Sequence, residues 1–289
     1  MFACNLFGVD RQVYYRNIKR KSVKESKAIE VVSMVLYIRK SMPRLGTKKS
    51  YHLLKDQLKP LKIGRDKLFN ILRANHLLIQ PRRSYHITTN SHHHFRKHKN
   101  QVLGLEINRP DQVWVSDITY IGRRENPCYL SIITDAYSKK IMGHYVADNM
   151  NTESSALALR MAIKQRKSKQ VPLIHHSDRG LQYCAKDYQK ILRKNGIVAS
   201  MTQNSDPYEN AVAERINGIL KQEFMIDKYN LKLNLMKSLV KESIDTYNEL
   251  RPHYSNYMLT PNQMHLQNII KMRTYKTKKN TCENDFASV

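Results

Sequence analysis

Three acidic residues stand out in a strongly basic chain. Asp117 lies inside the run VWVSDITYI, which is otherwise apolar on both faces. Asp178 ends the run VPLIHHSD, and Glu214 falls within ENAVAERINGILKQE. A carboxylate inside an apolar strand needs a partner, because burying it unpaired is costly. The carboxyl end of a strand is where open α/β sheets commonly bind ligands. Carboxylates are hard oxygen donors of the kind that anchor Mg²⁺. Each acid taken singly has an ordinary explanation: a turn before Arg179–Gly180, a cross-strand hydrogen bond for Asp117, an exposed helix pair of Glu214 with Arg215. As a set in a basic chain they point to metal-assisted chemistry on a polyanion.

The elements that would position them follow from periodicity. After Pro110 the chain alternates in the manner of strands, with β-branched and aromatic residues in QVWVSDITYIG, PCYLSIITDAY and KKIMGHYVAD, and short separations at Arg123–Asn126 and near Ser138. A helix is expected from about Thr152 to Arg166, then the strand ending at Asp178, a helix from about Ala185 to Asn195 and a short strand IVASMT. Helices resume from Tyr208 to about Ile226 and from about Leu235 to Leu250. This order makes a mixed α/β domain. Asp206 suits an N-cap, Pro207 the first helical position and Glu209 a capping-box partner. Glu214 is then expected in the second to third turn, on one face with Asn210, Asn217 and Lys221.

The charge is unevenly spread. The 289 residues carry 50 Lys plus Arg against 24 Asp plus Glu, a net of +26. Residues 1–110 hold 24 basic and 6 acidic residues, net +18, while residues 111–289 hold 26 and 18, net +8. Such an excess implies a polyanionic partner, and nucleic acid is the commonest inside cells. The first part reads as helices from about Val23 to Lys40, with Ile29, Val32 and Leu36 on one face, from about Lys48 to Leu58, and from about Arg65 to His76. In the third, Arg65, Lys67, Asn70 and Arg73 are candidates to meet DNA. A turn at Pro60–Gly64 suits a helix-turn-helix; a small helical bundle with a solvated basic face fits the same pattern. Gln80 to about Asn108 reads as a basic linker; its His92, His93 and His94 lack the partners of a known metal-site spacing. Cys4, Cys128, Cys184 and Cys282 are widely spaced and expected to be free thiols. No run approaches a membrane span or signal-peptide core, so a soluble, cytoplasmic, nucleoid-associated protein with no membrane partner is expected.

These residues resemble a known family. With 60 residues between Asp117 and Asp178 and 35 between Asp178 and Glu214, the chain is similar to insertion-sequence transposases of the IS-three type (the OrfB product), whose DDE core resembles retroviral integrase. MPRLGTKKSYHLL and KLFNILRANHLL resemble the family's helical DNA-binding region, and YNELRPHYSNYMLTP its closing segment. Glu209, Arg215 and Leu181 differ from the residues usual at those positions, and none is an expected metal ligand. The resemblance implies a helical, helix-turn-helix-like region over residues 1–80 and a basic linker over 81–108. Over 109–270 it implies a ribonuclease-H-like integrase catalytic core, a mixed sheet with flanking helices, followed by a basic tail over 271–289. It further implies Asp117, Asp178 and Glu214 as ligands for two Mg²⁺ or Mn²⁺ ions per active site, and Lys221 and Asn210 as DNA contacts. The expected partners are double-stranded DNA, both terminal inverted repeats and target, further copies of the chain, and an upstream-frame helix-turn-helix protein, as a separate chain or a frameshift fusion. The expected activity is strand cleavage and strand transfer; the alternatives are an inactive or repurposed DNA-binding protein and a ribonuclease-H-like nuclease.

Overall fold

The computed structural model describes residues 8, 10–80, 98–122, 127–167, 169–203 and 210–267. The chain opens with three helices, α1 (Arg11–Ser41), α2 (Thr47–Leu58) and α3 (Arg65–Ala74). Asp10 caps α1, its side chain accepting from the amides of Gln12 and Val13. Val31 and Val35 of α1 close a small core with Leu54, Leu58, Leu68 and Leu72. The expected face of Ile29, Val32 and Leu36 is therefore displaced, since Ile29 and Leu36 are exposed. The run VVSMVLYI offers apolar residues around much of the helix, and contact with α2 and α3 selects among them.

A five-stranded sheet follows, built from β1 (Val113–Ile121), β2 (Cys128–Asp135), β3 (Ile141–Ala147), β4 (Leu173–Ser177) and β5 (Ile197–Met201), in the order β3-β2-β1-β4-β5. β1 is central: it pairs antiparallel with β2 and parallel with β4, and β4 pairs parallel with β5. On one face, Trp114, Ile118, Ile133 and Met142 pack against α4 (Thr152–Gln165) and α6 (Lys186–Lys194), with the short α5 (Leu181–Cys184) between them. On the other face, Ile121, Leu130, Ile132 and Ile141 meet α7 (Ala211–Gln222) and α8 (Leu233–Leu250). β1 and β2 are thus covered on both sides, which explains their nearly continuous apolar sequence. The expected strands and helices of the core are present.

One expectation about the connections is corrected. The last part of the predicted linker is built into the core: Gln101 donates its amide to Ser200 Oγ at 2.8 Å, and Val102 and Ile107 pack beside Val113, Val115, Ala136 and Ala213. The rest of that linker, with His92, His93 and His94, lies outside the described residues, as do Arg123–Asn126, the 271–289 tail, Cys4 and Cys282. Cys128 and Cys184 are buried free thiols. After α8, a short 3-10 turn (Tyr254–Asn256) leads to α9 (Pro261–His265), started by a capping box between Thr260 and Gln263. Among the described residues, no helix is long and apolar enough to cross a membrane.

One close approach fixes α4 on the sheet. A Cβ at Gly143 of β3 would stand 2.1 Å from the carbonyl oxygen of Ala158 and 2.8 Å from the amide nitrogen of Ala162. Gly143→Ala is expected to destabilise the fold by about 1–3 kcal/mol or more, lowering the thermal midpoint by several degrees; an unchanged midpoint would show that α4 is not held this tightly.

Candidate active site

Asp117 lies in β1, and the strand register brings Asp178 beside it. The parallel β1–β4 pairing runs from Val113 opposite Ile174 to Ser116 opposite Ser177. Asp117 and Asp178 are the next residues along the two segments, where strand spacing is ~4.8 Å, and the charge of Asp178 reaches Asp117. The Asp178 side chain accepts the Gly180 amide at 3.0 Å, shaping the turn after β4. Arg179 holds the chain beyond β5, its Nε donating to the Thr202 carbonyl at 2.6 Å and its guanidinium also to that of Gln203. The turn motif that begins with an acid therefore also steers the approach to α7.

α7 carries Glu214 in its first turn, earlier than the expected second to third turn, because the helix begins at Ala211. The segment with Asp206, Pro207 and Glu209 lies outside the described residues. Ile216, Ile219 and Leu220 form the buried stripe of α7. Two polar links then fasten the helix to β1. Asn210 donates to the Ser116 carbonyl at 3.3 Å, and Asn217 Nδ2 donates to Asp117 Oδ2 at 2.7 Å. Asn210, expected to touch DNA, is buried. With its amide turned onto β1 it is a positioning residue, a correction that follows from its place at the start of a packed helix. Asn217 stood on the anticipated face without a role; its signal was a polar residue inside an apolar helical stripe.

The electrostatics are those of crowded acids. Burial, then the charge of Asp178, push the Asp117 carboxyl up to about 7, with Glu214 adding to the rise; hydrogen bonds from the Ile118 amide and Asn217 oppose it. Burial also raises the Glu214 carboxyl. Lys221, two turns after Glu214, is half-buried; burial lowers its ammonium, and the nearby Asp117 and Asp227 work against that lowering. The three carboxylates are neighbours without all closing within 4.8 Å of one another. Beneath them, Tyr183 is buried with its hydroxyl 3.1 Å from Ser116 Oγ, and burial, then Asp178, raise it well above its ordinary value. That makes it a packing group and a poor nucleophile.

The other predicted contacts lie on α3, where Arg65, Lys67, Asn70 and Arg73 are all exposed. Arg65 pairs with Asp66 at 2.8 Å, and Arg73 donates to Asn70 at 2.9 Å. Their face is separate from the carboxylates. A different acidic group, Asp111, Asp135 and His265, has ligating atoms within 4.8 Å of one another. It sits beyond the other end of the sheet: Asp135 pairs in register with Trp114, whereas Asp117 pairs with Ile132.

A mixed five-stranded sheet in the order β3-β2-β1-β4-β5, with helices packed on both faces, has the architecture of an integrase-type core, and Asp117, Asp178 and Glu214 form its candidate site. Residues 107–207 and 195–261 each match an Integrase core domain family model. The chain is 33% identical over 258 residues to the "Insertion element IS600 uncharacterized 31 kDa protein" of Shigella sonnei, covering 86% of this chain and 92% of that one. It is also 33% identical over 161 residues to "Transposase InsF for insertion sequence IS3fB" of Escherichia coli, spanning 55% of this chain and 56% of that relative. Among solved structures, the HTLV-2 integrase catalytic core domain in complex with magnesium aligns at 20% identity and a TM-score of 0.44, over 54% of this chain and 97% of that one. The chain belongs to the insertion-sequence transposases of the IS-three type, with an integrase-like core.

The raised Asp117 carboxyl fixes a pH dependence. A carboxyl that ionises near 4 when unfolded and at about 7 when folded contributes stability below pH 4 and loses it as pH rises to 7. The metal-free protein at pH 8 thus bears a cost on the order of 4 kcal/mol. Asp117→Asn is expected to raise the thermal midpoint at pH 8 by several degrees, with the gain shrinking steadily toward pH 4. A gain independent of pH would contradict this electrostatic account.

Proposed function

We propose that this protein is a DNA transposase that binds the terminal inverted repeats of its element, cuts one strand at each 3′ end and joins the freed hydroxyl to target DNA. The reading rests above all on the register that sets Asp178 beside Asp117, beneath the helix bearing Glu214. Asp117, Asp178 and Glu214 would hold divalent metal, Mg²⁺ or Mn²⁺, two ions per site. The donor set fits: three hard carboxylates, one of them pushed up by burial and then by the charges of the other two, leave negative charge that a hard cation would relieve. When bound, such ions activate the attacking oxygen and offset charge on the leaving one in an in-line displacement.

The chain's own residues supply position. Asn217 orients the Asp117 carboxylate, and Asn210 fixes the start of α7, so that Glu214 is presented from a rigid element. Phosphoryl transfer asks mainly for such placement and for charge stabilisation, with no covalent nucleophile from the protein. Lys221, near Asp117, is suited to a phosphate of the reacting strand. On α3, Arg65, Lys67, Asn70 and Arg73 would face end DNA, giving residues 1–80 the DNA-binding part and 109–270 the catalytic part. Two DNA ends require more than one copy, and an upstream-frame helix-turn-helix protein or fusion would complete the assembly in the bacterial cytoplasm.

Incubating the protein with labelled terminal-repeat DNA and Mg²⁺ tests the reading. Cleavage and strand transfer should occur, and Asp117→Asn, Asp178→Asn or Glu214→Gln should each reduce them about a thousandfold or more, since several kcal/mol of charge stabilisation depend on the set. Binding without cleavage by the unaltered chain would sink the catalytic assignment. Lys221→Ala should weaken DNA binding and reduce its salt dependence while leaving Mg²⁺ binding unchanged; undiminished end joining would reject that role.

A further inference from the structure

Two clefts flank the junction between the helical region and the core. One, of about 320 Å³, is lined by Ala211, Val212 and Arg215 of α7 together with Lys139, Arg251 and His253. The other, of about 340 Å³, is lined by Arg44, Lys48 of α2 and Phe69 of α3, and reaches Glu223 at the end of α7. Lys49 and Tyr254 border both. The two clefts thus adjoin, leading from the helix that carries Glu214 to the helix that carries Arg65 and Arg73.

Their lining is cationic beyond what the protein itself neutralises. Arg44, Lys48, Lys49, Lys139, Arg215 and Arg251 stand against one lining acid, Glu223, with the Lys139 ammonium also bonded to the Ala136 carbonyl and within the field of Asp135. That carboxylate is already held by Lys49 at 2.9 Å and by Arg251 through two bonds of 2.8 and 2.9 Å. Arg215 is exposed, and among the described residues it has no acidic partner. Lys49 is almost fully buried, and burial, then the charges of Arg251 and Arg215, lower its ammonium to about 8. Cations gathered in this way repel one another unless an anion joins them. Tyr254 presents an exposed ring beside Lys49, whose ammonium lies 5.8 Å from the ring centre. Basic groups interleaved with an aromatic ring suit a nucleic-acid strand, with cations for phosphates and a ring for a base or sugar.

We propose that these clefts form one channel for the phosphodiester backbone of a DNA strand running from the active site to α3, with Arg215, Lys139 and Lys48 contacting successive phosphates. The proposal rests on the transposase reading and adds to it where the strand lies. It also gives Arg215, unusual beside the catalytic acid in this family, a function. Because α2, α7 and the segment after α8 all border the channel, a bound strand would brace the helical region against the core.

The test uses the full chain and a fluorescent terminal-repeat duplex, with affinity measured across a salt series. Arg215→Ala, Lys139→Ala and Lys48→Ala should each lower the slope of log affinity against log salt by about one. The double variant Arg215→Glu with Lys48→Glu should bind at least about a hundredfold more weakly. Arg160→Ala, on α4 across the sheet, should leave the slope unchanged, and thermal midpoints with Mg²⁺ titrations should show that fold and metal binding persist. Affinity and slope unchanged in folded channel variants would overturn the channel. So would displacement of the DNA by inorganic phosphate well beyond that by chloride at matched ionic strength, which would mark the clefts as sites for free phosphate. Wild-type protein that binds through the channel but neither cuts nor joins would count against the transposase reading alone. Wild-type protein that fails to bind the duplex would overturn both.

Discussion

The proposed active site depends on holding an ionisable carboxyl inside the central strand. β1 is the point at which the sheet changes from antiparallel to parallel pairing, and the carboxyl end of β4 lies beside the middle of β1, next to Asp117. This is the place where α/β sheets open to a ligand. Asp117 is bad for the fold considered alone: it is half-buried, and the charges that shift it, those of Asp178 and Glu214, have its own sign. Its retention in such an apolar strand calls for compensation. Two N–H donors supply part of it, and the remainder is the negative charge that makes a cation site chemically sensible.

The same helix that serves Asp117 is anchored at its other end by ion pairing. Glu223 caps α7 and receives Lys49 from α2 and Arg251 from the segment after α8. Burial alone would raise the Glu223 carboxyl, but bonding and charge from Arg251, then Lys49, hold it below its ordinary value. The backbone repeats the tie, since the Arg44 amide donates to the Glu223 carbonyl at 3.0 Å. Removing one member of such a cluster leaves the others buried and uncompensated, so the cluster specifies how three parts of the chain meet. α7, a rod of about 18 Å, therefore joins the candidate site at one end to the junction with the helical region at the other. The position of Glu214 is set from both.

Much of this was legible in the chain itself. Runs such as VWVSDITYI and LIHHSD announce strands, and the acids within them announce a site, because an apolar context makes a charge conspicuous. The helical positions of Arg65, Lys67, Asn70 and Arg73 could likewise be read from spacing. What escaped were relations between distant segments. Asn217 bonds a residue 100 positions away, and Asn210 one 94 positions away; the apolar stripe around Asn217 hints at its burial, but no local pattern names the partner of either asparagine. The buried stripe of α1 was misplaced because several stripes were apolar enough and only the partners on α2 and α3 choose among them. The final residues of the supposed linker follow a polar, basic run, yet Gln101 finds an acceptor on β5, and Val102 and Ile107 find an apolar seat beside β1.

The two groups of acids show why composition alone does not identify a metal centre. Asp111, Asp135 and His265 lie closer together than the catalytic candidates do, yet their bonding is largely complete. Asp135 accepts from the amides of Asp111 and Ser138 and from the Ser138 hydroxyl; Asp111 accepts from the Trp114 indole; Ser138 in turn meets His265 Nδ1 at 3.0 Å. Lys140 feels the charges of both acids, and Arg166 that of Asp111. This group fastens α9 and the turn after β2 to the start of β1, with donors and fixed cations already meeting its charge. Around Asp117 the dominant neighbours are other acids, and Lys221 is the cation set against them. The deciding property is thus the charge left over after the protein's own donors and cations are assigned. By that measure the more loosely gathered acids at the switch point of the sheet, and not the tighter buried group, are suited to recruiting divalent metal and the phosphates it would act upon.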